Sequence, residues 1–376
     1  MPHRSSVRLS PPCGEKRSEA LFRKCALARS CRLCGLVLGT LAAVPPYPSP
    51  SCAVERSITH SPHCARSTLL MRLRPLVVIT EHLSEEATAW LEERAEVVHA
   101  SVTDDAFLAI APRVNALIVR TYTEVDEALL DTLPLLRAVG RAGVGLDNVD
   151  ERACAQRGIH VFNTPDANTQ AVVEYVLALL CDALRPRLFL DAPVCKEEWN
   201  EIRQEVVGLW QMNELVLGIL GFGRVGKRIA EVARAIGFQV IYNDLLEIPE
   251  SARFGAQPVG IETLFTDADI VTIHIDGRSE NRKFVSAALI NIMRSDAVMI
   301  NTARGMVLDD TALAGFLARN PAAMAMLDVH DPEPFTAENP LLDLPNAHLA
   351  PHLASRTMSA MDAMSWVVKD VWRVIE

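Results

Sequence analysis

Cysteine is sparse over most of this chain. Only Cys154, Cys181 and Cys195 lie beyond residue 70, against six before it. Three scattered thiols in so long a stretch argue against a disulfide framework and suit a reducing compartment, so a cytoplasmic location is expected. Basic residues are short as well. Residues 71–376 hold 27 Lys and Arg against 44 Asp and Glu, whereas residues 1–70 hold ten against three. An acidic body of this kind is a poor partner for nucleic acid or an anionic membrane. The apolar run at 33–44 has twelve residues, too few to span a bilayer. What remains, at 49% hydrophobic and 22% charged over 376 residues, is the make-up of a soluble globular protein of about two domains.

Residues 1–70 mix Arg, Ser, Pro and Cys with no sustained apolar period. A secretory signal with its apolar core at 33–44 would begin too late, and a transit peptide fits the Arg and Ser content better than the Cys and Pro content. Cys31 and Cys34 with His60, His63 and Cys64 match no compact zinc finger, so no metal is expected. The segment reads as a disordered extension or as sequence upstream of the working start, with Met71 opening the folded protein.

From Met71 onward the punctuation is regular. Strand-like runs at 76–80, 96–99, 116–119, 136–139 and 158–162 alternate with helix-like runs at 85–93, 103–110 and 150–156. An apolar helix at 170–184 leads through a polar stretch, 196–204, into a second series with strands at 215–220, 239–242, 270–274, 297–301, 323–327 and 347–350. Such alternation predicts an α/β protein of two doubly wound parallel-sheet domains, one of them a full dinucleotide-binding sheet. The end, 359–375, reads as one amphipathic helix that packs back on the first domain. The expected division is a substrate domain from 71–170 with 356–376, and a nucleotide domain from 171–355.

The strand at 215–220 runs into Gly221-Phe-Gly223-Arg-Val-Gly226, and a helix follows. In such a loop the first glycine permits a tight turn, the second lets backbone approach a pyrophosphate, and the third lets helix pack on strand. A glycine triplet by itself is equally a structural turn. The next strand closes on Asp244, 18 residues after Gly226. An acid there accepts hydrogen bonds from an adenosine ribose and repels a 2′-phosphate, which points to NAD over NADP.

Three further segments follow strands: Asn301-Thr-Ala-Arg-Gly305, Leu327-Asp-Val-His-Asp-Pro-Glu-Pro334 and Ala350-Pro-His-Leu-Ala-Ser355. Ligands of open α/β sheets gather at the carboxyl ends of strands. A 2-hydroxy or 2-oxo acid needs a guanidinium for its carboxylate, a proton donor and acceptor for its oxygen, and an acid that holds an imidazole charged.

With Val119-Arg-Thr-Tyr-Thr123, Gly140-Arg-Ala-Gly-Val-Gly-Leu-Asp-Asn-Val-Asp150 and Asn163-Thr-Pro-Asp-Ala-Asn168 added, the chain resembles the D-isomer-specific 2-hydroxyacid dehydrogenases over about residues 71–376. The resemblance implies a Rossmann-type NAD domain beside a smaller, flavodoxin-like substrate domain. It implies that Arg304 orients the substrate, that His352 is the general acid and base, and that Glu333 supports the imidazolium. For NAD it implies Val144, Gly221, Gly223, Arg224, Val225, Gly226, Asp244, Ile275, Thr302, Ala303 and Ala354, with Asp328 holding the nicotinamide carboxamide. For the substrate it implies Arg120, Thr121, Arg141, Ala142 and Gly143.

Two arginines, Arg120 and Arg141, suit a phosphate-bearing acid, so 3-phosphoglycerate is the expected substrate, with hydroxypyruvate, glyoxylate or D-lactate as alternatives. A homodimer is expected on the same resemblance. An NAD-sensing corepressor is the alternative of another class, because such relatives keep the trio. The chain departs from the family at Ile275-Asp-Gly277 and Asn281, on the expected adenine side. Its end at Glu376 leaves no room for the C-terminal regulatory domain of longer members, so feedback through one is not expected.

Overall fold

The structure, a computed structural model, describes residues 74–376. The expectations for residues 1–70 and for Met71 lie outside these residues. Residues 74–187 and 194–376 belong to one compact unit that holds two parallel sheets.

The first sheet is built from β1 (Leu76–Ile79), β2 (Glu96–His99), β3 (Ala116–Val119), β4 (Ala138–Arg141) and β5 (His160–Phe162), in the order β2-β1-β3-β4-β5. All its pairings are parallel, as in Val78 opposite both Val98 and Leu117. Period-two alternation sends Leu76, Val78, Leu117, Val119 and Val139 to one face, against Phe107, Leu130 and Ile159. Val77, Ile79, Ala116, Ile118 and Ala138 take the other, against Ala87, Leu91, Val368, Val371 and Ile375. Both faces are covered, which is why these strands read as continuous apolar runs.

The second sheet comprises β6 (Val216–Leu220), β7 (Gln239–Asn243), β8 (Gln257–Pro258), β9 (Ile270–Ile273), β10 (Val298–Asn301), β11 (Met324–Leu327) and β12 (Ala347–Leu349). Its order is β12-β11-β10-β9-β6-β7-β8, again wholly parallel. One face packs on the helices Thr169–Leu184 and Arg224–Ile236 through Val172, Val176, Leu180, Ile229 and Ala233. The other packs on Leu264, Phe265, Ile290, Leu313 and Phe316. The α/β reading with two doubly wound sheets is therefore correct. The order of strand addition reverses between β1 and β3 in one sheet and between β6 and β9 in the other, and such switch points open crevices at the strands' carboxyl ends.

Several local readings differ: the second sheet gains a seventh strand, β8, beyond the six expected, and β5 starts at His160 and not at 158. The fourth strand begins at Ala138 and not at 136, because the Leu136 amide closes a turn on Leu133 and the Arg137 amide is taken by Asn115. The polar stretch after 195 is a helix, Lys196–Glu205, with no buried residue, so no apolar stripe announced it. The final helix is two, Met358–Ser365 and Val368–Ile375. The break lets Ala360 and Met364 pack with Ala171 while Val367, Val368 and Val371 turn to the first sheet, and Ser365 Oγ accepts the Ser84 amide across the break. As expected, the terminal residues pack on that sheet.

Candidate active site

The Gly221 loop follows β6 and caps the thirteen-residue helix Arg224–Ile236. Gly221 has φ +91°, and a side chain there would meet the backbone of His274 at 2.7 Å. A Cβ on Gly226 would lie 2.2 Å from the carbonyl oxygen of Gly221, so only glycine lets the helix approach the turn. A Cβ on Gly223 would meet nothing within 4 Å. That opening, at a helix N-terminus whose first amides lack intrahelical acceptors, fits a pyrophosphate. Asp244 follows β7, with one carboxylate oxygen on the Phe222 amide and the other on the Leu246 amide at 2.8 Å, which fixes it beside the loop.

Arg304 follows β10 and His352 follows β12. His352 Nδ1 lies 2.8 Å from Oε2 of Glu333, whose Oε1 accepts the amide of His330 at 2.8 Å. Burial pushes the Glu333 carboxyl up, but these two hydrogen bonds outweigh it and hold the group below its ordinary range. His330 in turn is buried, with its Nε2 2.8 Å from the Ala350 carbonyl and its ring edge-on to Phe335. His352 itself sits at φ +54°, a conformation side chains rarely adopt and one found where surroundings over-determine it.

Asp328 supplies that determination. Its carbonyl accepts the His352 amide, and its wholly buried carboxylate accepts the Leu353 and Ala354 amides at 2.7 and 2.8 Å. Burial raises the Asp328 carboxyl, against those bonds. Tyr175, on the helix Thr169–Leu184, also hydrogen-bonds Asp328, and its hydroxyl is pushed up to about 12 by burial and then by the Asp328 charge.

On the other wall Arg120 and Thr121 follow β3. The Glu81 carboxylate, at the end of β1, accepts the four successive amides of Arg120, Thr121, Tyr122 and Thr123 at 2.8–3.2 Å and so locks this loop at the switch point. Arg141 ends β4. A Cβ on Gly143 would fall 1.5 Å from its Nη1, and a Cβ on Gly145 would fall 1.9 Å from Nη2 of Arg304, so two glycines make room for two guanidiniums. Arg141 is pushed down to about 10, by burial first and then by the nearby Arg304 charge. Arg304 is joined to Asp147 by an ion pair of 2.7 Å.

These walls enclose one cleft of about 1350 Å³. Of the expected residues it is lined by Arg120, Thr121, Arg141, Ala142, Val144, Gly221, Gly223, Arg224, Val225, Asp244, Ile275, Thr302, Ala303, Arg304, Glu333 and His352. Gly143, Gly226, Asp328 and Ala354 lie behind its surface, the first two as space-makers and the other two as one hydrogen-bonded pair. Two buried polar atoms on its wall, Thr302 Oγ1 and Arg141 Nε, have no protein partner. The residues present thus fit a dinucleotide. Sequence reading missed Glu81, Asp147, Tyr175, His330 and Arg356. Asp147 and His330 stood within quoted motifs, and Glu81 was recognisable only as an acid ending a strand at a switch point. Among the described residues no group of His, Cys, Asp and Glu could hold a metal, and no helix is long and apolar enough to cross a membrane.

Comparison with known proteins decides the lineage. Residues 177–354 match the model of the D-isomer specific 2-hydroxyacid dehydrogenase NAD-binding domain. An (S)-sulfolactate dehydrogenase of Chromohalobacter salexigens is 36% identical over 300 residues, 78% of this chain and 96% of that protein. The chain belongs to the D-isomer specific 2-hydroxyacid dehydrogenases. A D-3-phosphoglycerate dehydrogenase of Archaeoglobus fulgidus is 30% identical over 297 residues, 78% of this chain but 56% of that protein, so the chain spans about half the length of this relative. Among solved structures, an NADPH-dependent glyoxylate/hydroxypyruvate reductase of Sinorhizobium meliloti, in complex with NADP and malonate, superposes with a TM-score of 0.68 at 28% identity, covering 80% of this chain and 94% of that one. Family membership makes residues 177–354 an NAD-binding domain and accounts for the glycine loop.

Proposed function

We propose that the chain is an NAD-dependent oxidoreductase of small D-2-hydroxy acids, acting on 3-phosphoglycerate. One observation carries the reading: Arg304 and the Glu333–His352 pair line the same cleft as the glycine loop. Bound NAD supplies the hydride acceptor for C2. Arg304 holds the substrate carboxylate, neutral His352 takes the hydroxyl proton as C2 is oxidised, and Glu333 stabilises the resulting imidazolium; in reduction the proton returns to the oxygen. Arg120 and Arg141 supply positive charge beyond that needed by one carboxylate, which favours a phosphorylated acid. Hydroxypyruvate, glyoxylate and D-lactate are the simpler alternatives.

In this reading residues 71–170 with 356–376 form the substrate domain and residues 171–355 the nucleotide domain, and the acid sits between them. The enzyme works as a cytoplasmic homodimer. Asp244, an acid fixed beside the glycine loop, would accept hydrogen bonds from the adenosine ribose and repel a 2′-phosphate, which supports NAD over NADP. Full-length protein assayed with NAD and with NADP against 3-phosphoglycerate, D-glycerate, D-lactate and, in reverse, hydroxypyruvate and glyoxylate tests the proposal. Reduction of NAD with 3-phosphoglycerate at the highest kcat/KM is expected. No turnover of any acid in either direction overturns the dehydrogenase reading, and a higher kcat/KM for D-lactate overturns the substrate.

A further inference from the structure

The cleft carries more positive charge than a monoanionic 2-hydroxy acid can use. Six guanidiniums line it, of which Arg224 and Arg278 are paired with Asp166 and Asp276, leaving Arg120, Arg141, Arg304 and Arg356. Arg304 is held by Asp147. Among the described residues Arg120, Arg141 and Arg356 form no ion pair, and Glu81, which adjoins Arg120, has its carboxylate taken by four backbone amides. Arg120 and Arg356 line the same cleft, and Arg120 is held below its ordinary range by burial first and then by the charge of Arg356. Repelling cations on the wall of a cleft are relieved by an anion between them.

We infer that Arg356 and Arg120 form a second anion subsite, which reads a tetrahedral anionic group on C3 of the substrate, a phosphate ester or a sulfonate, and that Arg356 determines specificity for it. The inference rests on the dehydrogenase reading and narrows its substrate class. Position supports it. Arg120 stands on the loop that Glu81 fixes to the first sheet. Arg356 lies four residues after His352, exposed, with its amide on the Leu353 carbonyl, on the turn that Asp328 pins. An anion held by both therefore ties the substrate loop to the turn that carries the general base, and aligns the acid for Arg304 and His352.

Both groups end in a tetrahedral anion of three oxygens, the phosphate one bridging oxygen farther from C3 than the sulfonate. Sulfur on C3 places that branch above the carboxylate in the priority order, so (S)-sulfolactate has the same arrangement about C2 as D-3-phosphoglycerate. One site can therefore present either acid to His352 in the same hand. Phosphate carries a second negative charge, so the two sources separate by affinity and not by stereochemistry.

The test uses the full chain and its variants R356M and R356K, with 3-phosphoglycerate, (S)-3-sulfolactate and D-glycerate, which lacks the C3 anion. Loss of one guanidinium–anion contact should lower the ratio of kcat/KM for a C3-anionic acid over D-glycerate by about 10- to 100-fold in R356M, mostly through KM, with partial recovery in R356K. The acid with the larger wild-type ratio is the source that the site serves. An unchanged ratio in R356M for both acids overturns the subsite. Calorimetric titration of the NADH-bound proteins with the same two acids separates this failure from that of the dehydrogenase reading. Binding that weakens in R356M without turnover of any acid upholds the subsite and removes the enzymology. Equal binding by wild type and R356M removes the subsite, whatever the turnover.

Discussion

Nε of Arg304 lies 2.7 Å from Oδ2 of Asp147, a residue 157 positions earlier in the chain. The pair joins the loop after β4 to the loop after β10, so a carboxylate of the protein holds the guanidinium proposed to meet the substrate carboxylate. A lysine would keep the charge but lose the fork that contacts both. R304K should therefore lose about 100-fold in kcat/KM, roughly 3 kcal/mol, through both KM and kcat. NADH binding, followed by fluorescence titration, should stay within about twofold, since the change spares the nucleotide loop. Full activity in R304K would remove Arg304 from its assigned role.

Glu333 gives a prediction in pH. Its carboxyl is held below the ordinary value of 4.5 by the bonds from His352 and the His330 amide, which outweigh the opposing effect of burial. A depressed carboxyl stabilises the fold above its ordinary value, and that contribution is lost as pH falls through the lowered one. The stability gap between wild type and E333Q, from urea unfolding, should therefore be full at pH 7 and close as pH drops below 4.5. In the reductive direction E333Q should lose kcat, because the imidazolium no longer has a carboxylate partner. An unchanged kcat in E333Q would show that Glu333 does not support the general acid.

Tyr175 meets the carboxylate of Asp328, which holds the turn that carries His352. Removing its hydroxyl in Y175F leaves a buried carboxylate with one donor fewer, which costs about 1–3 kcal/mol and should lower Tm by several degrees. The hydroxyl is pushed up to about 12 by burial and the Asp328 charge, above the ordinary 10.0. A phenol raised in this way stabilises the fold fully below pH 10, and the contribution disappears as pH climbs towards 12. Wild type and Y175F should therefore differ in stability by a constant amount up to pH 10 and converge above it. The 295 nm absorbance difference between the two proteins should show one tyrosine that ionises last. An equal Tm for the two would break the link.

How much of this was legible beforehand depends on the range of the interactions. The two parallel sheets, the glycine loop and the three side chains proposed for catalysis, which the structure brings to one cleft, were readable because each is written in contiguous residues: an apolar strand, then a turn, then a functional group. Glu81, Tyr175 and Asp147 were not. Each exerts its effect through partners brought together by the fold: four amides of the 120–123 loop for Glu81, Asp328 for Tyr175 and Arg304 for Asp147. Nothing local to Glu81 or Tyr175 distinguishes it from a surface acid or a core aromatic. The helix break after Ser365 was hidden for a related reason. Met361, Met364, Val367 and Val371 hold helical spacing throughout, and only the two different surfaces they meet show that the chain must turn between them.

The glycine loop supplies the sharpest separation between folding and binding. At Gly226 an added Cβ would stand 2.2 Å from the Gly221 carbonyl oxygen, whereas at Gly223 it would meet nothing within 4 Å. Gly223 also has φ −73°, which alanine adopts freely. The two substitutions should therefore fail differently. G226A drives the helix Arg224–Ile236 off β6, so a lower Tm and loss of NADH binding should appear together. G223A should fold with an unchanged Tm, yet bind NADH about tenfold or more weakly, a difference of at least 1.4 kcal/mol, because its methyl group occupies the space left for the pyrophosphate. Thermal unfolding and NADH titration of both variants read the two quantities independently. A G223A protein that binds NADH like wild type would mean that the phosphates do not lie over this loop, and the cofactor's place in the cleft would have to be sought elsewhere.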